Sequence, residues 1–194
     1  MSLNDSYVLG NHSDGILTER GFVDHLLSGK HSDAEAESEW ISMVEFVRNV
    51  QRHGGAFFDV STWDVKRGRE ITPAARRWLA ATYLISNDKA FSIFLKASKG
   101  DPHYGELQPT YREFVAAKGV GAAVSEPERL GGEASGVWRR VFANGLVLAN
   151  PSGKSHTVPL PDGQQFTDVS GTSVAGKVLL APRNGTVLIH APEP

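Results

Sequence analysis

The chain has 194 residues, of which 40% are hydrophobic and 22% are charged, and its formal net charge is −2. This balance excludes wholesale disorder, and the near-neutral charge excludes the basic surface of a nucleic-acid or anionic-membrane binder. The absence of cysteine excludes disulfides, thiolate nucleophiles and cysteine-ligated zinc.

The first residues carry no basic region followed by an apolar run, so the sequence predicts no signal peptide in this chain. No apolar run approaches the roughly 18–20 residues that a membrane-spanning helix requires. We therefore expect no membrane partner. The localisation stays open, because a missing N-terminal part would take any signal peptide with it.

The first informative segment is Ser13–Phe22, which places Asp14 and Glu19 around a short β-prone core. A helix follows, because Ser32 and Glu35 form a capping box ahead of an apolar face. That face has the helical spacing i, i+3, i+4, i+7, i+10 and consists of Trp40, Met43, Val44, Val47 and Val50. The glycines that follow at 54 and 55 predict the end of this helix.

A second strand is predicted over Ala56–Val60, and a third over Ala90–Leu95. Between them, Thr72-Pro73 is typical of a helix start. A third helix begins near Pro109, with Lys118-Gly119 as its C-terminal cap. The strand starts are separated by roughly 35–40 residues, a spacing typical of βα units. This order predicts parallel strands with helices packed outside them.

The composition changes after Gly119. Residues 125–136 hold three glycines and are predicted to be a linker, and from Val137 onward the pattern is all β. The predicted strands are Val137–Phe142, Leu146–Ala149, Thr157–Leu160, Gln165–Val169, Lys177–Leu180 and Thr186–His190. The turn signals Asn144-Gly145, Asp162-Gly163 and Asn184-Gly185 predict hairpins.

Three motifs carry a resemblance to a known family. Asp14–Glu19 resembles the DG-apolar-apolar-x-E strand motif of glycoside-hydrolase-like TIM barrels. Arg139–Ser152 and Leu179–Leu188 resemble the "R-x-F-x-N-G-x-V-L-x-N-P-S" and "L-x-P-x-x-G-x-V-L" segments of their C-terminal module. The group that the chain resembles is the hypothetical glycosyl hydrolase family 15, with amylase-type C-terminal sandwiches a more distant comparison.

The fold class that follows is α/β followed by all-β. We expect a partial (β/α) barrel of about three βα units, joined to a small antiparallel β-sandwich. The expected boundaries are 1–124 for the partial barrel, 125–136 for the linker and 137–194 for the β-sandwich. The resemblance implies a carbohydrate partner and a glycoside hydrolase that uses carboxylate acid/base chemistry on a polysaccharide or oligosaccharide.

Glu19 and Asp59 are the catalytic candidates. Glu19 ends the first strand, and the C-terminal ends of barrel strands are where catalytic groups lie. Asp59 sits among aromatic residues of the second strand, where burial would raise the pKa of a carboxyl and suit a general acid. Two alternatives stay open: Glu19 as a solvated residue that opens a loop, and Asp59 as a buried hydrogen-bonding group.

Five further residues are candidates for substrate binding. Trp63 and Asp64 follow the second predicted strand, where a loop would cover the pocket and an aromatic ring could stack on a sugar. Lys96 and Tyr104 follow the third strand. Asp14 is the fifth, although Asp-Gly at a strand entrance is more often a turn device.

No cofactor or metal is predicted. The seven histidines show neither HExxH nor any paired-ligand spacing, and neither a GxSxG elbow nor a GxxxxGK[ST] loop occurs. The basic pairs Arg76-Arg77 and Arg139-Arg140 are isolated and lack the aromatic neighbours of a nucleic-acid site.

A complete eight-stranded barrel takes about 250 residues, so we expect the chain to be the C-terminal part of such an enzyme. An open half-barrel would expose strand edges, which favours pairing with a second copy or with the missing barrel half. The alternative is a non-catalytic carbohydrate-binding or interaction module that uses the β region.

Overall fold

The structure is a computed structural model that describes residues 14–19, 22, 32–64, 72–88, 93–99, 111–131 and 136–191. Its helices are α1 (Asp33–Arg52), α2 (Pro73–Ser86) and α3 (Arg112–Gly119). The first strands are β1 (Gly15–Glu19), β2 (Ala56–Asp64) and β3 (Ile93–Lys99). The later strands are β4 (Glu128–Arg129), β5 (Trp138–Phe142), β6 (Gly145–Asn150), β7 (His156–Pro159), β8 (Gln165–Asp168), β9 (Ser173–Ala175), β10 (Lys177–Leu180) and β11 (Asn184–His190).

Helix α1 begins at the predicted capping box. The Ser32 hydroxyl accepts a hydrogen bond from the Glu35 backbone N–H at 3.3 Å, and the Ser32 backbone N–H donates to the Glu35 carboxylate at 2.8 Å. These bonds satisfy N–H groups that a helix start leaves without partners. The helix ends at Arg52 with His53 as its C-terminal cap, and Gly54 then takes a φ of 86°, which only glycine adopts at little cost.

Helix α2 begins at Thr72, whose hydroxyl accepts a hydrogen bond from the Ala75 backbone N–H at 3.2 Å. Its buried face includes Trp78, and the indole N–H of Trp40 on α1 donates to the Thr82 hydroxyl at 3.2 Å. This bond fixes the position of α1 against α2. The predicted start and apolar face of α2 are both confirmed.

Helix α3 extends one residue further than predicted. Gly119 is its last residue, and the left-handed conformation that ends many helices is taken by Gly121, with a φ of 82°. The predicted start at Pro109 lies outside the described residues.

Strands β1, β2 and β3 form a parallel sheet in sequential order, as the βα pattern predicts. Strand β2 is longer than predicted, because its residues 58–64 pair continuously with β3. Strand β3 is shifted toward its C-terminus and ends at Lys99. As a result Trp63, Asp64 and Lys96 lie within strands, where the sequence predicted loops; the β-branched and aromatic content of Val60–Trp63 fits a strand.

The C-terminal part forms two antiparallel sheets. One has six strands in the order β4-β5-β6-β11-β8-β9, and the other pairs β10 with β7. All six predicted strands are present. Strands β4 and β9 were not predicted, and β4 lies inside the range predicted as a linker, where Glu128 and Arg129 pair with Arg139 and Trp138.

One of the three predicted hairpins is confirmed. A two-residue loop joins β5 to β6 just before Gly145. The other two predictions are wrong as hairpins: Asp162-Gly163 connects strands of different sheets, and Asn184-Gly185 begins β11, whose partners are β6 and β8. The chain does turn at Asp162-Gly163, where Gly163 has a φ of 73°. Packing in the core, however, determines which strands the flanking strands pair with.

The central strands β6 and β11 are buried on both faces. Their alternate side chains Val147, Ala149 and Val187 belong to the core formed with the helices. The intervening side chains Leu146, Leu148 and Leu188 belong to a second core that includes Val158 and Leu180 of the two-stranded sheet. The six-stranded sheet therefore lies between the helices and the small sheet. The boundaries at 124 and 136 stay predictions.

The contact between α2 and β11 gives a stability prediction. A Cβ atom at Gly185 would lie 2.4 Å from the Ala81 Cβ, which is too close for an unaltered packing. We expect Gly185→Ala to lower the free energy of unfolding by about 1–3 kcal/mol through overpacking. The measurement is the urea midpoint at constant slope.

Gly119→Ala is the matched control for this change, because a Cβ atom there has no neighbour within 4 Å. Alanine is the better helix former by roughly 0.5–1 kcal/mol. An equal midpoint for the two variants would contradict the close packing of α2 on the sheet.

Candidate functional site

The carboxyl ends of β1, β2 and β3 lie at one edge of the parallel sheet. Glu19 is the last residue of β1 and is aligned with Val60, whereas Asp64, the last residue of β2, is aligned with Lys99. Strands β2 and β3 thus extend four residues beyond the level of Glu19, which is about 13 Å at the usual rise per residue.

Of the predicted substrate-binding residues, Trp63 and Asp64 are the last two residues of β2, and Lys96 is the central residue of β3. Tyr104 lies outside the described residues. Asp14 immediately precedes β1, at its opposite end from Glu19, and is exposed; its carbonyl accepts a hydrogen bond from the Ala56 backbone N–H at 2.9 Å. Five residues of extended chain separate Asp14 from Glu19 by about 16 Å.

Asp59 is fully buried near the middle of β2. The Thr18 hydroxyl donates a hydrogen bond to its carboxylate at 3.3 Å. Phe57 occupies the alternate position on the same face and belongs to the core formed with α1 and α2. The Asp59 carboxylate therefore lies on the helix-facing side of the sheet.

Tyr83 of α2 experiences the charge of Asp59. Burial of the phenol, together with the negative Asp59 carboxylate, raises the pKa of Tyr83 to about 12. The phenol therefore stays protonated throughout the neutral range. The Thr18–Asp59 hydrogen bond thus joins β1 to β2, and Tyr83 of α2 lies within the electrostatic influence of the same carboxylate.

The Asn-Pro-Ser motif forms a closed turn between β6 and β7. The Asn150 amide donates hydrogen bonds to the Lys154 and Ala181 carbonyls, each at 2.8 Å. The Ser152 hydroxyl donates to the Asn150 side-chain oxygen at 2.7 Å and lies 3.0 Å from the His156 ring nitrogen Nε2. The Ser152 hydroxyl also lies 3.3 Å from the Lys154 carbonyl, so the side chains of this motif bond mainly within the turn that they close.

Arg140 of β5 closes the C-terminal end of α2. Its guanidinium donates to the Leu84 carbonyl at 2.9 Å, the Ile85 carbonyl at 3.3 Å and the Asn87 carbonyl at 2.9 Å. It also pairs with the Asp88 carboxylate. Burial lowers the pKa of Arg140 from its usual value, and the bond to Asp88 opposes that effect.

A cleft of about 700 Å³ lies beside this arginine. Arg140, Asp88 and Glu126 line it together with apolar residues that include Leu84 and Phe142. Arg48 of α1 is a second buried arginine. Its guanidinium bonds to the Asp88 carboxylate at 3.1 Å and also contacts the Glu126 carboxylate. One guanidinium group and two carboxylates therefore line this cleft, and the Arg48 guanidinium lies behind the two carboxylates.

Sequence reasoning missed this cluster, because it treated Arg139-Arg140 as an isolated basic pair. One signal was available. In a strand over 138–142, Arg140 shares a face with Trp138 and Phe142, which predicts a buried arginine that needs carbonyl and carboxylate partners. The acids Asp88 and Glu126 are brought to it from loops, and no local pattern marks them.

Metal-binding clusters and membrane-spanning helices are both absent from the described residues. Within them, no group of three or more histidine, aspartate or glutamate side chains could hold a metal ion. None of the helices there is long and apolar enough to cross a membrane.

Comparison with known proteins gives distant likenesses. No family model and no curated protein matches the sequence. A structure of trehalulose synthase is 11% identical with a TM-score of 0.40, over 79% of this chain and 46% of that one. A structure of maltooligosyl trehalose synthase is 12% identical with a TM-score of 0.34, over 84% of this chain and 27% of that one.

This chain therefore spans less than half the length of each of these two structures. Such low TM-scores establish neither a shared fold nor a shared activity.

The raised pKa of Tyr83 predicts a pH dependence of stability. Below about pH 10 the phenol is protonated in the folded and the unfolded chain alike. As the pH rises toward about 12, the unfolded chain releases this proton while the folded protein retains it. Stability therefore falls across this window. Tyr83→Phe should remove this part of the decline, as measured by urea unfolding at several alkaline pH values.

Asp59→Asn should move the ionisation of Tyr83 to lower pH, since it removes the negative charge. The difference in phenolate absorbance between each parent and its Tyr83→Phe derivative isolates this tyrosine. The control is Asp162→Asn, which changes an exposed turn residue. An unchanged Tyr83 titration in Asp59→Asn would contradict the electrostatic contact.

The Arg140 cluster predicts a large difference between two neighbouring arginines. Arg140→Met leaves the α2 carbonyls without their donor and removes one of the two arginines that pair with Asp88, and we expect it to cost about 3–5 kcal/mol. Arg139→Met removes an ion pair with half-exposed Glu128 and should cost no more than about 1 kcal/mol. Equal urea midpoints for the two variants would show that Arg140 does not hold α2 to the sheet.

Proposed function

We propose that this chain is part of a carbohydrate-active, glycoside-hydrolase-like protein whose sugar-facing side is the C-terminal edge of β1–β3. One observation supports the proposal most directly: the three strands are parallel and in sequential order, so their carboxyl ends meet at one edge. In barrels this is the edge that carries catalytic residues.

Glu19 is assigned the principal catalytic role, because its backbone is at the carboxyl end of β1, four residues below the ends of β2 and β3. Hydrolysis of a glycosidic bond requires a carboxylic acid that protonates the leaving oxygen and a second carboxylate that attacks the sugar or activates water. Asp59 is the predicted second group. Trp63, Asp64, Lys96 and Tyr104 are proposed to contact the sugar, and Asp14 is more simply explained as the turn at the entrance of β1.

A second candidate function is a non-catalytic carbohydrate-binding or interaction module. It is favoured by the burial of Asp59 on the helix-facing side of the sheet, beside Thr18 and Tyr83. A carboxylate in this position suits a structural role better than contact with a sugar. For this second candidate function, the antiparallel sheets provide the binding surface.

The proposed enzyme activity predicts the effect of removing each carboxylate. We expect reducing-sugar release from at least one member of a polysaccharide panel, and Glu19→Gln should lower kcat by at least about a hundredfold. Asp59→Asn should lower kcat as well if it is the second catalytic group. Thermal unfolding of both variants separates lost chemistry from lost fold.

Glu45→Gln on the exposed face of α1 and Asp162→Asn are the matched controls, since they make the same chemical changes away from the sheet edge. Turnover that survives both Glu19→Gln and Asp59→Asn would overturn the catalytic assignment. Sugar binding without turnover in the unmodified chain would support the binding-module alternative.

A further inference from the structure

The cleft beside Arg140 contains an unusual exposed carboxylate. The Glu126 side chain is 81% exposed, yet its carboxylate contacts Arg48, whose side chain is only 6% exposed. Backbone and side-chain bonds hold the preceding residue in place: the Ser125 carbonyl accepts from Arg140 Nε at 3.1 Å, and its hydroxyl accepts from the Val141 backbone N–H at 3.0 Å. The loop is thus anchored, while the Glu126 side chain extends from it into solvent.

The four charges of Arg48, Arg140, Asp88 and Glu126 sum to zero only while the Glu126 carboxylate contacts Arg48. Arg48 and Arg140 contribute two positive charges, and Asp88, which bonds to both, contributes one negative charge. Glu126 contributes the second. An exposed ion pair is worth little, because water screens it and the side chain loses freedom. If the Glu126 carboxylate moved away, Arg48 would be left with an unmatched charge next to the cleft.

The walls beside these charges combine apolar and polar groups. Leu84, Phe142 and residues 121–124 are among those that line the cleft, and Val124 is 64% exposed. The volume of about 700 Å³ is in the range of small-molecule sites, which combine apolar walls with a few polar groups. A ligand that fits would carry one carboxylate on a compact body.

We infer that this cleft binds a small organic carboxylate, which takes the place of the Glu126 carboxylate on Arg48. A planar carboxylate matches the guanidinium fork geometrically, and one negative charge restores the balance. Glu126 acts as an internal competitor that occupies the site when no ligand is present. This cleft is a different place from the edge of β1–β3, so the inference does not depend on the proposed hydrolase activity.

The test is isothermal titration of the full chain with sodium glucuronate, a sugar acid, and with sodium benzoate, an aromatic acid. Glucose and methyl benzoate are the neutral counterparts. We expect binding of at least one acid, none of its neutral counterpart, and weaker binding as salt is raised. The comparison of the two acids distinguishes a sugar-acid ligand from an aromatic one.

Glu126→Ala should tighten the Kd for that acid about fivefold, the value of an exposed ion pair. Because Glu126 is exposed, this variant is expected to fold. Glu128→Ala, which removes a neighbouring surface ion pair with Arg139 outside the cleft, should leave the Kd unchanged. Arg48→Lys should weaken binding by at least about tenfold, since the fork is lost.

The inference is overturned if neither acid binds to Glu126→Ala, if the neutral compounds bind equally well, or if Glu126→Ala and Glu128→Ala change the Kd alike. Preference for inorganic phosphate over both acids would also overturn it. Loss of polysaccharide hydrolysis in Glu19→Gln with unchanged acid binding would keep the two sites separate.

Discussion

The guanidinium of Arg140 joins helix α2 to the six-stranded sheet. It hydrogen-bonds to carbonyls at the end of α2, which apolar packing alone would leave without partners. Helix α2 has no basic residue in its last turn, and the final carbonyls of any helix lack partners within it. Arg140 reaches them from β5 and pairs with Asp88 at the same time. Arginine suits this task, because its planar group offers five donors in fixed directions. The end of α2 is thus specified by a residue of the sheet.

Where local chemistry decides structure, the sequence was sufficient. The capping box at Ser32 and the Thr72-Pro73 start placed α1 and α2 correctly, since each cap satisfies N–H groups within a few residues. The βα spacing likewise predicted the parallel order of β1–β3. Strand ends were predicted less well: β2 continues to Asp64 because β3 pairs with it, and that pairing partner lies 35 residues away in the chain.

The candidate site was predictable only in part. That Asp59 is buried follows from its aromatic neighbours, but the side of the sheet on which it lies depends on which face the helices cover. Likewise, the loop residues Asp88 and Glu126 meet Arg48 and Arg140 only in the folded chain. Pairings between distant polar groups leave no periodic trace in a sequence, whereas apolar faces do.

Strands β6 and β11 are buried on both faces, and this burial couples the unfolding of the β region to that of the helices. If the β region separated from the helices, Val147, Ala149 and Val187 would be exposed together on one surface. Exposing this apolar surface to water raises the free energy, so the helices and the sheet unfold together. The described parts should then unfold in one cooperative transition, so the β region is a poor candidate for a freely transferable module.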